Sequence, residues 1–197
     1  MDKRRRRTQA ERRAETRAAV LESACRLFGS KGYTDTSLDE IAAGSGLTIR
    51  PIYHYFGNKV QLFAAVNDVM EERIVASLQA NAADAPKDPV LSAWRAFLGL
   101  CADSEFRRIV LIDSPNILGR ERWAESPVTR TAAALFFETR DDLDRRSAEI
   151  VGRMLIGALS EAALAIAESD DPASAGRAAE TIVKRVAGAL LESGKEE

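Results

Sequence analysis

The chain has 197 residues, of which 46% are apolar and 29% are charged, and its formal net charge is −2. A chain of this length can bury a sizeable core in one or two domains. Its two cysteines are too few for a disulfide framework, and no apolar run approaches the roughly 18 residues that span a bilayer. The basic start lacks the apolar segment of a secretory signal, so we expect a cytoplasmic protein without a membrane partner.

The charge is unevenly distributed along the chain. Residues 1–60 carry 12 Lys and Arg against 7 Asp and Glu, whereas residues 61–197 carry 16 against 23. A basic front and an acidic rear fit a protein that offers one end to a polyanion, and the alternative is a chance distribution of solvated charge. Arg4, Arg5 and Arg6 belong to a basic run that we expect to follow phosphates or enter a minor groove, rather than to be only a solvated tail.

The first predicted helix runs from about residue 11 to residue 31. Val20, Ala24 and Phe28 recur at helical spacing and form one apolar stripe. Gly32 is a natural C-terminal stop for this helix.

Residues 36–59 are predicted to form two short helices around a tight turn, followed by the start of a third helix. Ser37 and Glu40 have the spacing of a capping box at the first short helix, and the glycine-rich residues 44–46 end it. Thr48 is predicted to cap the second helix. This is the helix-turn-helix arrangement, whose second helix enters the DNA major groove.

The next predicted helix begins at Asn58 and continues to about Asn81. At 1.5 Å per residue it would be about 36 Å long, so it must leave the first domain and join a second one. We expect Glu71, Glu72 and Arg73 on this helix to be solvated charges.

Several residues of this region keep a distinctive order and spacing: Phe28, Gly32, Tyr33, Thr36, Ser37, residues 39–42, Gly46, Leu47, residues 52–56 and Lys59. In this order they resemble the amino-terminal domain of TetR-type transcriptional repressors, over roughly residues 12–66. The rest of the chain resembles that family only in length and helical character. The resemblance implies an all-α fold, with a three-helix helix-turn-helix DNA-binding domain and its basic arm in residues 1–57. Residues 58–197 would then form a helical ligand-binding and dimerisation domain.

The side chains around the predicted turn divide by their expected contact with DNA. The basic arm and Lys59 supply phosphate attraction that is blind to sequence. Arg50 can grip guanine with two hydrogen bonds, and Ile49 and Pro51 can contact thymine methyl groups, although the family often has small polar residues at these last two positions. The residues expected to hold the register on phosphates, or to face the DNA, are Thr36, Ser37, Thr48, Tyr53, His54 and Tyr55.

The middle of the chain concentrates the aromatic residues that lie outside the first domain. The resemblance implies that the helices here enclose a cavity for a small, mostly apolar effector, whereas from the residues alone such aromatic side chains are more often core than pocket wall. The residues predicted to line the cavity are Trp94, Phe97, Cys101, Phe106, Asp113, Asn116, Trp123, Phe136 and Phe137.

Two helices are predicted near the end of the chain, the first of them apolar all round over residues 154–167 and the second over residues 173–192. Meeting their copies, they would form a four-helix dimer interface, and the alternative is that they are internal core. The residues predicted to lie in the interface are Met154, Gly157, Ala158, Glu161, Ala162, Ile182, Val186 and Leu190.

Enzyme chemistry has little support in the sequence. The single histidine, His54, lies in the predicted recognition helix, and neither cysteine has a partner at metal-ligand spacing. We therefore predict no catalytic residue, no metal and no cofactor. The sequence favours a homodimeric repressor that binds a palindromic operator and is released by a small apolar effector. The alternative is a helical sensor or protein-binding module without effector-controlled DNA binding.

Overall fold

The computed structural model describes residues 8–84, 89–119, 121–137 and 144–192, and every regular element within these ranges is a helix. The all-α fold predicted from the sequence is therefore confirmed. Its helices, in chain order, are α1 (Gln9–Lys31), α2 (Leu38–Gly44), α3 (Arg50–Phe56), α4 (Lys59–Ala83), α5 (Pro89–Cys101), α6 (Ser104–Arg107), a π-helical segment (Arg108–Asp113), α7 (Ser114–Ile117), α8 (Glu121–Ala124), α9 (Pro127–Phe137), α10 (Arg145–Glu168) and α11 (Pro172–Glu192).

Helices α1, α2 and α3 pack on one another through the predicted apolar stripe of α1. Val20, Ala24 and Phe28 are fully buried, and Ile41 of α2 and Ile52 of α3 meet them in the same core. These three helices form the three-helix unit that the sequence predicts.

Helix α1 begins two residues earlier than predicted. The Thr8 hydroxyl accepts a hydrogen bond from the Glu11 amide at 3.2 Å, and the Glu11 carboxylate accepts one from the Thr8 amide at 2.7 Å. This reciprocal pair is a capping box, and its spacing of three residues was readable from the sequence.

Helix α4 connects the two halves of the molecule. The Asn58 side chain caps it by accepting a hydrogen bond from the Gln61 amide at 2.8 Å, at the residue where the helix was predicted to begin. Its 25 residues make it about 37 Å long. It packs on α1 and α3 near its start and on α5 and α9 further along, so one rigid element contacts both halves.

Two polar side chains of α4 lie in the interior. Asn67 is fully buried and Glu71 is 2% exposed, and the Asn67 amide nitrogen donates a hydrogen bond to Glu71 Oε1 at 2.7 Å. The expectation that Glu71 is solvated was therefore wrong: α4 packs on α9, and the charges of Arg130 of α9 and Arg122 of α8 act on this carboxyl group. Burial raises the pKa of Glu71 above its ordinary value of 4.5, and the Asn67 hydrogen bond and the charge of Arg122 oppose that shift.

Helix α10 is apolar over a longer stretch than residues 154–167, which the sequence analysis marked as apolar all round. Its portion Glu149–Glu168 is long and apolar enough to cross a bilayer by length and composition, with a mean hydropathy of 1.7. The expectation that no apolar run approaches this length was wrong, because the charges of Arg153 and Glu161 are widely spaced within it. One such helix is weak evidence for a membrane, and α10 packs on α9 and α11 along part of its surface.

Candidate nucleic-acid interface

The turn between α2 and α3 is built on glycine, as predicted. Gly46 has a φ of +69°, a left-handed conformation that strains residues with a Cβ atom. The amide of Leu47 donates to the carbonyl of Ala42 at 3.0 Å and closes the turn over the end of α2. The turn therefore leaves only residues 45–49 between α2 and α3.

Helix α3 buries one side and presents the other to solvent. Ile52 is fully buried and Phe56 is 7% exposed, and the Arg17 guanidinium of α1 lies 5.3 Å from the centre of the Phe56 ring. Arg50 is exposed on the outer side, and Tyr53 is 52% exposed. The outer side therefore offers a cation and a phenol, both of which can donate hydrogen bonds to DNA.

His54 and Tyr55 lie next to these residues. His54 is exposed, whereas Tyr55 is half-buried and packs partly against the core. Their ring centres are 4.8 Å apart at an interplanar angle of 68°, an edge-to-face contact that fixes the orientation of both rings.

The start of α3 differs from the sequence prediction. Ile49, not Thr48, is the N-cap residue, and no side chain caps this helix. The reason is that the Ile49 carbonyl accepts the first hydrogen bonds of the helix, from the Ile52 amide at 3.1 Å and the Tyr53 amide at 3.4 Å, and isoleucine has no side-chain oxygen to act as a cap. Thr48 is exposed, which leaves it accessible to a phosphate, while Ile49 is half-buried against the core. Pro51 occupies the first turn of α3.

Thr36 and Ser37, of which one or the other was predicted to hydrogen-bond a phosphate, have different environments. Thr36 is 1% exposed, and its hydroxyl donates to the Gly32 carbonyl at 2.8 Å, with the Leu27 carbonyl 3.1 Å away. The prediction for Thr36 was therefore wrong, because its hydroxyl is used to close the end of α1. Ser37 is exposed at the N-terminus of α2 and is accessible to a phosphate.

The start of α2 carries the predicted capping box and an ion pair. The Glu40 amide donates to the Ser37 hydroxyl at 3.1 Å, and the Ser37 amide donates to the Glu40 carboxylate at 2.9 Å. The Lys31 ammonium pairs with the same carboxylate. The hydrogen bond from Lys31, followed by those from Ser37, lowers the pKa of Glu40 to about 2, so this carboxylate is charged at any physiological pH.

Lys59, at the start of α4, is held beside the end of α1. Its ammonium nitrogen lies 4.3 Å from the centre of the Tyr33 ring and donates a hydrogen bond to the Thr34 carbonyl at 3.3 Å. The Tyr33 ring packs against Phe28, with ring centres 5.8 Å apart, and against Phe63, with ring centres 5.2 Å apart. Sequence spacing gave no sign that Tyr33 supports Lys59, since the two residues are far apart along the chain.

Among the described residues of the second half, two neighbouring cavities share side chains of α10. One of about 50 Å³ is walled by apolar side chains of α4, α5, α9 and α10, including Leu78, Phe97 and Leu155. The other, of about 710 Å³, is a groove between the π-helical segment, α7, α9 and α10 with mixed polar and apolar walls. Ile156 and Ser160 of α10 line both, so these side chains lie between the two spaces.

The predicted effector residues are not brought together in one cavity. Phe97 lines the small cavity and Asn116 the groove, whereas Trp94, Cys101 and Phe106 are buried in the hydrophobic core. Asp113 lies at the contact between the two halves, where it accepts a hydrogen bond from the Tyr33 amide. The side chains of three further predicted residues lie outside the described part of the structure: Trp123, Phe136 and Phe137. Arg4, Arg5 and Arg6 also lie outside the described residues.

Most of the residues predicted for the dimer interface are accessible. Met154 is 58% exposed and Ile182 is 60% exposed, and Gly157, Ala158 and Glu161 are also exposed on α10. An apolar groove of about 320 Å³ between α10 and α11 brings several of them together, and the predicted residues that line it are Ala158, Ala162, Ile182 and Val186. The side chain of Leu190 lies outside the described part.

Helix α3 packs with α1 and α2 in a three-helix unit, follows a glycine turn, and has arginine and tyrosine on its outer side. This arrangement defines a helix-turn-helix DNA-binding regulator. The family model "Bacterial regulatory proteins, tetR family" matches residues 20–66, and "Tetracyclin repressor-like, C-terminal domain" matches residues 88–190. The chain belongs to the TetR family of transcriptional regulators.

Individual relatives agree with this assignment. The HTH-type transcriptional regulator AcrR of Shigella flexneri is 39% identical over 84 residues, which cover 43% of this chain and 39% of the relative. The HTH-type transcriptional regulator TtgR of Pseudomonas putida is 36% identical over 100 residues, which cover 48% of this chain and 47% of TtgR. This chain therefore matches less than half the length of these two relatives.

A likeness over the whole chain comes from a solved structure. A TetR-family transcriptional regulator from Pectobacterium atrosepticum has 31% sequence identity and a TM-score of 0.71, over 96% of this chain and all of that one. These relatives are transcriptional regulators, not enzymes. The predicted family and the predicted role in DNA-binding regulation are thereby confirmed.

Proposed function

We propose that the protein is a cytoplasmic homodimeric repressor that binds a palindromic operator and is released by a small, mostly apolar effector. The observation that carries the proposal is the pairing of an exposed α3 with uncovered apolar faces on α10 and α11. A single α3 reads few base pairs, and two copies held by a dimer read an inverted repeat. We further propose that residues 1–57 are the DNA-binding part and residues 58–197 the effector and dimerisation part.

In this proposal the DNA contacts divide between base reading and phosphate binding. Arg50, exposed at the start of α3, donates two hydrogen bonds to a guanine in the major groove. Ser37, Thr48 and Tyr53 are accessible and hold the register by hydrogen bonds to phosphates. Lys59 and the basic arm add attraction that does not depend on sequence. The remaining residues proposed to approach the DNA are Pro51, His54 and Tyr55.

The apolar faces of α10 and α11 support the homodimer. Ile150 and Met154 are 50% and 58% exposed on one side of α10, and Ile182 and Val186 are 60% and 39% exposed on α11. Large apolar side chains clustered in water cost free energy and usually mark an interface. A second copy is a better occupant than lipid, because part of the surface of α10 is already packed on α9 and α11.

The effector is proposed to occupy the space between α4, α5, α9 and α10. The small cavity offers apolar walls but only about 50 Å³, whereas binding sites for drug-sized molecules have about 300–1,000 Å³. Movement of Ile156 and Ser160 would join it to the groove of about 710 Å³. An effector with an apolar body and a polar end then fits the joined space. Because α4 lines the small cavity and begins beside α3, a shift of α4 changes the separation of the two α3 helices.

The proposal is tested by selecting operators from a random DNA library with the full-length chain. We expect an inverted repeat whose half-site centres are about 34 Å, or a multiple of it, apart on one face of the duplex. Bound mass from light scattering should correspond to a dimer or pairs of dimers. A monomer that binds a single half-site with full affinity would refute the homodimer.

The effector is tested by screening small molecules in a thermal-shift assay and titrating the best binder with and without operator. We expect the operator to lower the protein's affinity for the binder by the same factor by which the binder lowers its affinity for the operator. The corresponding coupling free energy is about 1–3 kcal/mol. Equal affinity in both titrations would exclude that molecule as an effector. Failure of every binder in this way would favour the alternative of a helical module without effector-controlled DNA binding.

A further inference from the structure

A π-helical segment, Arg108–Asp113, brings a carboxylate of the second half against the main chain of the first. The wider turn of the π-helix is visible at its end, where the amide of Ser114 reaches the carbonyl of Ile109, five residues back. Asp113 Oδ2 accepts a hydrogen bond from the Tyr33 amide at 2.8 Å, across 80 positions of sequence. The Asp113 side chain is 14% exposed, so water competes weakly for this bond.

The two halves approach closely here because two glycines leave room. A Cβ atom at Gly32 would overlap the guanidinium of Arg108, and one at Gly29 would overlap the side chain of Glu105. Gly32 also has a φ of +85°, which a residue with a side chain rarely adopts. Arg108 Nε lies 3.6 Å from Asp113 Oδ1 and makes no hydrogen bond within the described residues, so the main partner of the carboxylate is the Tyr33 amide.

The same turn also supports Lys59. The Tyr33 ring lies 4.3 Å from the Lys59 ammonium, and the Thr34 carbonyl accepts a hydrogen bond from it. A cation over an aromatic ring is attracted to its face, and the attraction depends on the position of the ring. Asp113 fixes the amide of the residue whose ring and whose neighbouring carbonyl hold Lys59.

We propose that Asp113 is a positioning residue for operator binding: it holds the turn at Tyr33 and Thr34 in the conformation that presents Lys59 to a DNA phosphate. This rests on the proposed function, in which Lys59 binds a phosphate. Asp113 itself does not touch the DNA. It acts from the second half of the molecule through its hydrogen bond with the Tyr33 amide, and not through α4.

The proposal is tested with full-length Asp113→Ala, Asp113→Asn and the matched control Asp144→Ala, on an operator selected from the random library. Asp144 is a suitable control because its carboxylate also accepts a main-chain hydrogen bond at 2.8 Å, from the Ser147 amide, at the start of α10. Operator affinity is measured against salt concentration. Each bound phosphate contributes about 0.9 to the slope of log affinity against log salt, so Asp113→Ala should flatten the slope by about 0.9 per protomer. Asp113→Asn keeps an oxygen acceptor and should retain most of the slope, and Asp144→Ala should leave it unchanged.

Two further measurements separate positioning from general destabilisation. In a Lys59→Ala background, Asp113→Ala should have little additional effect on operator affinity, because the ammonium that Asp113 positions is already absent. The Tyr33 amide should exchange with solvent faster in Asp113→Ala than in the wild type. If Asp113→Ala does not fold, Asp113→Glu replaces it; this variant keeps the charge, displaces the carboxylate by one methylene and should also flatten the slope.

The outcomes distinguish this inference from the proposed function. A wild-type protein that binds no operator would refute the proposed function itself. A wild type that binds while folded Asp113→Ala keeps the full salt slope would overturn only the positioning role. An affinity loss that is additive with Lys59→Ala would do the same, since Asp113 would then contribute to stability alone.

Discussion

The proposed dimer makes Ile182 a sensitive position. This residue is 60% exposed in the protomer and lines the apolar groove between α10 and α11. Fully burying an isoleucine side chain contributes about 1.5–3 kcal/mol, so covering the exposed part in a dimer contributes about 1–2 kcal/mol in each protomer. A symmetric interface doubles this to about 2–4 kcal/mol. Ile182→Lys removes that contribution and places two like charges in the interface. Since about 1.4 kcal/mol is a factor of ten, the dimer Kd should rise by about 30- to 700-fold or more.

Sedimentation velocity over a concentration series from nanomolar to high micromolar would measure this Kd. Ile182→Leu is the matched control, because it keeps the apolar character and should dimerise like the wild type. Thermal unfolding, compared at a concentration at which both proteins are monomeric, should change little, since most of the side chain is exposed before association. An Ile182→Lys protein that dimerises with the wild-type Kd would refute the assignment of this face.

The basic arm, Arg50 and Glu71 each give a further prediction. Deleting residues 1–7 removes five cations, so it should weaken binding to all DNA sequences while the preferred sequence stays the same. The slope of log affinity against log salt should flatten by about 0.9 for each phosphate that the arm binds. An unchanged slope would mean that the arm does not touch DNA. Arg50→Ala should relax the preference at one base pair of each half-site by about 1–3 kcal/mol in selection from a randomised operator, and a uniform loss at all positions would assign Arg50 to phosphate. Because burial raises the pKa of Glu71 in the folded state, that state holds the proton to higher pH than the unfolded chain does, and stability should fall as the pH rises from about 4.5 through the folded pKa. Urea unfolding at a series of pH values would measure this decline in stability. Glu71→Gln should remove the decline, whereas the control Glu72→Gln, at an exposed position, should keep it. A decline that persists in Glu71→Gln would contradict the reasoning.

The sequence predicted the helix-turn-helix well because its signals are local. The capping box of Ser37 and Glu40 spans three residues, and the left-handed turn at Gly46 depends on one residue. The buried positions of α3, Ile52 and Phe56, are one helical turn apart. Each of these is decided within a few residues of chain, so each can be read before the fold is known.

The hydroxyls of Thr36 and Ser37 show where local signals fail. These two residues are adjacent and chemically alike, and although the spacing to Glu40 marks Ser37 as a cap, no local signal shows that the Thr36 hydroxyl is buried. The carbonyls of Gly32 and Leu27 at the end of α1 take the hydroxyl of Thr36, while that of Ser37 is exposed to solvent. The difference depends on how the chain returns across the end of α1, which is a tertiary property.

The family, the order of the helices in the first domain and the basic character of the amino-terminal end could all be read from the amino-acid sequence. The burial of particular polar residues, and the groups that meet across the molecule, required the three-dimensional structure. Glu71 has the same sequence neighbourhood as the exposed Glu72, and it is buried because its side of α4 is packed within the fold, where the charges of Arg122 of α8 and Arg130 of α9 act on it. Asp113 finds the Tyr33 amide because a π-helical turn and two glycines allow two distant segments to touch. Hydrogen-bond partners and burial of this kind are set by packing between elements far apart in sequence, on which helical periodicity carries no information.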